Sequence, residues 1–366
     1  MNLAFANGIL LILVFLEILF LSVHEKEKIP WREVIFNLNS GHILMWILRG
    51  LELGAFHLVY VYWSFELLDG LTYVQQWLFA FVVWDFCFYW LHRLHHQFEL
   101  LWAVHVVHHE GEHFSLSLGI RNSWYSSVTA IPFFMGLAVI GVPPEIYLIV
   151  SSIHYSIQFY NHNRVIKNSG WLEKVMITPS HHEVHHGCNA EYLDKNFGGT
   201  FVIWDKIFGT FQPKIKDVPV ICGTADYVKT YNVAWASNLP FLKIFNFPKI
   251  KNKKSYPDFQ LSDTFIVFGG VLLFGLLLHY IFQENTWDNS MKLFFFNIIF
   301  WGTIGNGGLA DGKYWGLAIT EFNFLLLAPV FIFYYKITAP ILLLNMGLLM
   351  WYSLGVIFNH KTYCLS

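Results

Sequence analysis

The sequence predicts an all-α chain: a polytopic helical membrane protein with a histidine-rich cap on the cytoplasmic side. Three observations carry that expectation. Of the 366 residues, 55% are hydrophobic and 13% charged, about half the charged share of an ordinary soluble domain. The apolar residues gather into runs long enough to cross a bilayer. Histidine is concentrated, with 11 of 18 residues inside the windows 92–113 and 181–186.

Aromatic residues reach 19%, including 15 Trp and 18 Tyr, as suits a surface that meets lipid and its headgroups. The net charge of −2 supplies no basic field, which argues against nucleic acid as a partner. Cys87, Cys188, Cys222 and Cys364 are scattered without a C-x-x-C pair. Neither a disulfide framework nor a thiolate metal site is expected from them.

Residues 3–23 form an apolar run broken only by Asn7 and Glu17, with no basic leader or small-residue cleavage site. It reads as an uncleaved membrane helix. Lys26, Lys28 and Arg32 follow it, which places that loop on the cytoplasmic side. Apolar segments at 43–65 and 72–91 then lead out and back, so His92 emerges at the cytoplasmic interface. Residues 124–160 are apolar again, interrupted at Gly141-Val142-Pro143-Pro144. Gly and Pro there predict the bend of a helical hairpin, which returns the chain to the side it left. Residues 163–260 are more polar and form the cap, with Lys249, Lys251, Lys253 and Lys254 as a solvated or headgroup-facing patch. Membrane helices resume near 262–282, 291–305, 314–335 and 338–358.

The histidines form three groups: His92 with His95 and His96; His105, His108 and His109; and His182, His185 and His186 preceded by His181. Each helical residue advances by about 100°. His92 and His96 are therefore neighbours on one face, and each H-x-x-H-H group occupies roughly 100° of arc. His162, at the end of the hairpin, is a further contributor. Histidines 92, 96, 105, 108, 109, 182, 185 and 186, with His162, exceed the roughly four to six donors that one ion accepts and suit two. Imidazole alone does not choose among zinc, iron, copper and nickel. A lone histidine is ordinarily just a polar helix end, and His24, His42, His57, His279 and His360 are read so. His95 is rotated from the His92/His96 row and reads as a supporting or packing side chain, as does His181. Asp85 lies seven residues before His92 on the same helical face, where a carboxylate could hold the outer nitrogen of a ligand imidazole; the competing expectation is a helix–helix hydrogen bond.

At these residues the chain resembles the fatty acid hydroxylase (sterol desaturase) superfamily. The matching elements are Asp85-x-x-x-Tyr89-Trp90-x-His92-Arg93-x-x-His96, His105-x-x-His108-His109 and Thr178-Pro179-Ser180-His181-His182-x-x-His185-His186. The resemblance covers about residues 75–212. It extends to the alkylglycerol monooxygenase family through Asp194-Lys195-Asn196-Phe197-Gly198-Gly199 and Trp204-Asp205-Lys206-Ile207-Phe208-Gly209-Thr210-Phe211. Asn196, inside the first of these stretches, is read as a side chain supporting the site. The resemblance implies two non-haem iron ions, O₂ and hydroxylation of a lipid, in that family at the carbon beside an ether oxygen. It also implies tetrahydrobiopterin as reductant, although Gln97 stands where that family has a glutamate.

Domain organisation then follows as 1–70 for N-terminal membrane helices, 71–215 for the catalytic region, 216–260 for a lysine-containing cytoplasmic segment and 261–366 for C-terminal membrane helices. A fatty-acyl or sterol hydroxylase or desaturase on the same scaffold is the nearest alternative, with an electron donor the residues do not identify. A histidine-rich metal transporter is more remote, because transporters place ionisable groups near the bilayer midplane. A metallohydrolase would need an H-E-x-x-H box, whereas His182-Glu183-Val184-His185 has different spacing.

Overall fold

The computed structural model describes residues 3–224, 230–245 and 257–362. Lys249, Lys251, Lys253 and Lys254, and with them the patch expected there, lie outside the described residues. The chain is helical: α1 (Leu3–Val23), α2 (Trp31–Asn39), α3 (His42–Trp63), α4 (Tyr73–Gln97), α5 (Glu99–His109), α6 (Ser126–Ile140), α7 (Pro144–Asn161), α8 (Pro179–His185) and α9 (Ile203–Ile207). There follow α10 (Val233–Ile244), α11 (Asp263–Gln283), α12 (Asn289–Ala310), α13 (Tyr314–Glu321), α14 (Ala328–Tyr334) and α15 (Pro340–Asn359). A wider π-helical turn, Phe322–Leu327, joins α13 to α14.

Among the described residues, five segments are long and apolar enough to cross a membrane: Trp31–Trp63, Asp263–Gln283, Asn289–Ala310, Tyr314–Tyr334 and Pro340–Asn359. The spans expected near 43–65 and in the C-terminal third are among them. Helices α4 and α7 are not. Each mixes its apolar residues with polar ones, Gln75, Gln76, Asp85 and Arg93 in α4 and Glu145, His154 and Gln158 in α7. Ser126–Ile140 is a shorter apolar helix, as is the stretch Asn7–Val23 within the 21-residue α1.

Two compact units divide the chain: Met1–Leu44 with Val228–Ser366, and Met45–Tyr227. In the first, α11 packs on α1, α2, α12 and α15. Its helices approach closely because small residues leave room. A Cβ on Gly308 would come within 2.6 Å of Gly316, and one on Gly270 within 2.2 Å of the Ile35 side chain. Residues 1–44 thus belong by packing with the C-terminal helices. Hydropathy gives no sign of such a pairing, because every apolar helix looks alike to it.

The second unit holds every histidine of the three groups. Helix α4 starts at a capping box in which Thr72 and Gln75 satisfy each other's backbone N–H groups, as free helix starts require. It breaks at Phe98, whose extended backbone (φ −109°, ψ 122°) turns the chain into α5. The expected hairpin is α6 and α7. Gly141 closes α6 at φ 110°, a conformation natural to glycine, and Pro144 opens α7, where a missing N–H costs nothing. A Cβ at Gly141 would also meet the Glu66 backbone at 3.0 Å. An aromatic and aliphatic core joins these helices, with Trp84 of α4 stacked on Phe134 of α6 and His154 of α7.

Candidate metal centre

Among the described residues, nine imidazoles gather into two adjacent clusters. Ring nitrogens of His92, His96, His105, His109 and His185 lie within 4.8 Å of one another, and so do those of His108, His162, His182 and His186. The sequence boxes do not map one to one onto the clusters. Within each H-x-x-H-H box the outer pair, at i and i+4, is about 40° apart, while the middle residue lies about 60° to the other side of the first. Helix α5 accordingly gives His105 and His109 to the five-histidine cluster and His108 to the four-histidine cluster. Helix α8 does the reverse, giving His185 to the former and His182 and His186 to the latter. The clusters share a wall, where His109 and His186 stack at 4.6 Å between centroids.

The outer ring nitrogens decide what the inner ones can do. His92 Nδ1 donates to the Phe197 carbonyl at 2.9 Å, His185 Nδ1 to that of Lys195 at 2.8 Å, His108 Nδ1 to that of Arg121 at 2.9 Å and His162 Nδ1 to that of Gln158 at 2.8 Å. A carbonyl only accepts, so each Nδ1 carries the proton and each Nε2 presents a lone pair. Yet His108 and His162 bring those lone pairs to 3.1 Å from each other. Two acceptors at that distance repel unless a cation lies between them. The other inner contacts run from 3.0 to 3.3 Å: His92–His105, His105–His109, His162–His182 and His182–His186. With metal–nitrogen bonds of about 2.1 Å, two ligands on one ion are separated by roughly 3.0 Å at a right angle and 3.4 Å in a tetrahedron. His185 Nε2 and His96 Nε2 are buried without any hydrogen-bond partner. The residues present therefore fit two metal ions.

Charge supports the same fit. Desolvation first, and crowding by neighbouring imidazoles second, hold His92, His105, His109, His162, His182, His185 and His186 well below the ordinary histidine pKa. Desolvation takes His108 down to about 4. These imidazoles are neutral at physiological pH, the form that binds metal.

The other residues singled out in the sequence are placed as follows. His95 belongs to neither cluster: its ring lies 5.5 Å from that of His105, but its Nε2 is 3.0 Å from Thr129 Oγ1. His181 lies 3.4 Å from Thr178 Oγ1 and meets the Phe211 ring edge-on. Asn196 donates to the carbonyls of His181 and Gln212 and accepts from the Gln212 N–H. Asp85 does not reach a cluster imidazole. Its oxygens accept from Thr200 N, Phe201 N and Trp204 Nε1 at 2.8–3.0 Å, and His154 Nδ1 is 3.6 Å away. Sequence spacing could show a shared helical face but not the loop that folds back onto it.

Two contributors escaped sequence reading. Gly119 makes room for His162: a Cβ there would lie 3.0 Å from its Nδ1 and 3.1 Å from its Cγ. Gly119→Ala should weaken metal binding at the four-histidine cluster by about 10-fold, the low end of outer-sphere effects, and leave the other cluster unchanged. Stepwise metal titration measures this; equal loss at both would contradict the placement. The second is Asp205, fully buried, which accepts from Phe197 N, Gly198 N and Thr210 Oγ1. Its spacing to any histidine carries no signal, since it acts through backbone.

Comparison with known proteins agrees with this geometry. Residues 77–210 match the fatty acid hydroxylase family. The chain is 34% identical over 213 residues to alkylglycerol monooxygenase of Danio rerio, covering 57% of this chain and 47% of that one. It is 37% identical over 185 residues to the Homo sapiens protein of the same name, covering 50% and 40%. Ornithine lipid hydroxylase OlsE of Rhizobium tropici is 29% identical over 149 residues, covering 38% and 44%. The matches thus span less than half the length of these relatives. No solved structure matches.

Proposed function

From the premise that residues 77–210 form a fatty acid hydroxylase domain, we propose that the protein is an integral-membrane lipid monooxygenase in which the nine clustered histidines hold two iron ions. The observation that carries this reading is the convergence of imidazole nitrogens at 3.0–3.3 Å in each cluster, with both facing nitrogens of His108 and His162 proton-free. Iron bound there would supply the redox chemistry with O₂ that a C–H bond of a lipid requires and that acid–base groups cannot provide.

The chain's own residues contribute positioning and dryness. No carboxylate belongs to either cluster among the described residues, so the ligand set is neutral. Phe197 lies 5.1–5.8 Å from the rings of His92, His96 and His185. Phe114 stands 5.5–6.3 Å from those of His162, His182 and His186. These apolar rings exclude water from the clusters and leave a surface suited to an alkyl or acyl chain. Exposed apolar residues of the same unit, among them Leu58, Val61 and Trp63 on α3 and Val74 and Leu78 on α4, are suited to lipid contact.

Likeness to two alkylglycerol monooxygenases favours an ether lipid, hydroxylated beside the ether oxygen with a tetrahydropterin as reductant. Likeness to an ornithine lipid hydroxylase keeps acyl hydroxylation as the second reading. The deciding experiment incubates the purified, iron-loaded chain in lipid with O₂ and tetrahydrobiopterin, offering an alkylglycerol and an acyl lipid in parallel. Aldehyde released from the alkylglycerol supports the first; a hydroxylated acyl chain alone replaces it with the second. Product from neither, at two bound irons, sinks the monooxygenase reading.

A further inference from the structure

We propose that Asp205 is a positioning residue for the five-histidine cluster, acting on His92 through a single peptide group, and that the loop 194–199 it holds is the clasp of that cluster alone. The inference rests on reading the histidines as metal ligands.

Three of the five imidazoles take their outer partners from this loop. His96 Nδ1 lies 3.2 Å from the Asp194 carboxylate, His185 Nδ1 donates to Lys195 O and His92 Nδ1 to Phe197 O. The four-histidine cluster draws on other elements, Arg121 O and Gln158 O. The loop's path is unusual. Asp194 and Asn196 have φ of 57° and 56°, left-handed values that Asp and Asn tolerate better than most residues. Asn196 ties its middle to the carbonyls of His181 and Gln212.

The peptide between Phe197 and Gly198 is bonded at both ends. Its C=O accepts from His92, and its N–H donates to Asp205 Oδ2 at 2.8 Å. A carboxylate at one end of an amide polarises it and makes its oxygen the better acceptor. Asp205, peptide and His92 thereby form a relay that raises the basicity of the ligand nitrogen, as a carboxylate bonded directly to a metal-bound histidine does. Three donors converge on Asp205: Phe197 N, Gly198 N and Thr210 Oγ1, within 2.7–2.8 Å. The hydroxyl in turn meets Tyr89, which accepts from Arg93. An ionised carboxylate, an acceptor only, takes all three. A Cβ on Gly198 would sit 2.8 Å from Asp205 Oδ2 and 2.7 Å from Phe201 O, so the close approach also depends on glycine.

The test uses the full chain in detergent and cobalt(II) as the probe, whose visible absorption is strong in four-coordinate sites and weak at higher coordination. Wild type should take up two ions. Asp205→Asn should bind the first with unchanged affinity and the strong four-coordinate spectrum, and the second about 10–100-fold more weakly. Asp85→Asn is the structural control: it loosens the neighbouring stretch through Thr200, Phe201 and Trp204 without touching the relay, and should leave both affinities unchanged. Asp194→Asn, at an exposed side chain with a backbone asparagine accepts, tests the clasp should Asp205→Asn not fold; it should weaken the same cluster alone. Equal weakening at both clusters, no weakening at either, or an Asp85→Asn result matching Asp205→Asn overturns the proposal. A wild type that binds no cobalt overturns the metal-centre reading instead.

Discussion

Replacing His162 with alanine is expected to abolish lipid turnover and to leave one ion per chain instead of two. His162 contacts His108 at 3.1 Å and His182 at 3.0 Å through Nε2, so it bridges α5 and α8 within the four-histidine cluster. Losing it removes a direct donor, and the effect should exceed the roughly 10–100-fold typical of an outer partner. His95→Ala is the contrast. That side chain is as close in sequence to the first box as any ligand, yet it bonds Thr129, and turnover should stay within a few-fold. Metal content by elemental analysis and oxygen-dependent turnover are measured together at matched protein abundance. Full activity in His162→Ala would remove the four-histidine cluster from the mechanism.

Stripping metal with a chelator should lower the thermal midpoint of the chain by about 10 °C or more. A ligand at about 1,000 times its dissociation constant adds roughly 4 kcal/mol, and each kcal/mol moves a domain of 150–250 residues by about 2–4 °C. The structural cause is the set of facing lone pairs. Without a cation, the facing nitrogens of His108 and His162 repel, and relieving them means turning one ring away from its carbonyl. Acid should aggravate the loss. Burial lowers His108 to about 4, and His95 likewise, so the unfolded chain binds protons that the folded chain refuses. Stability of the stripped protein should therefore fall as pH drops from the ordinary value of 6.5 toward 4. Trp84 and Trp102, both in the histidine-bearing unit, report the transition by fluorescence. An unchanged midpoint after verified removal would mean that metal does not stabilise this fold.

Much of the candidate site was visible in the sequence because imidazoles at helical spacing state their own geometry. His92 and His96, or His105 and His109, need only the 3.6-residue period to become neighbours. His162 followed from the Gly-Pro bend, which brings the chain back. What stayed hidden depends on contacts distant in sequence. The division of each box between two clusters requires α5 and α8 to face each other. Asp85 shares a helical face with His92, but residues 200–204 occupy its oxygens. Packing of α1 and α2 with the C-terminal helices was equally hidden, since hydropathy identifies membrane helices without saying which neighbours they choose.

The loop 194–199 bears on mutational tolerance. Two of the acceptors it offers the imidazoles are main-chain oxygens, which every amino acid possesses. The side chain of Lys195 is therefore free to drift while its carbonyl stays indispensable to His185. The restriction falls instead on the residues that set the path, Asp194 and Asn196 at positive φ and the glycine at 198. A scan of every substitution along this stretch would record Lys195, an imidazole partner, as permissive and Asn196 and Gly198, which touch no cluster imidazole, as essential.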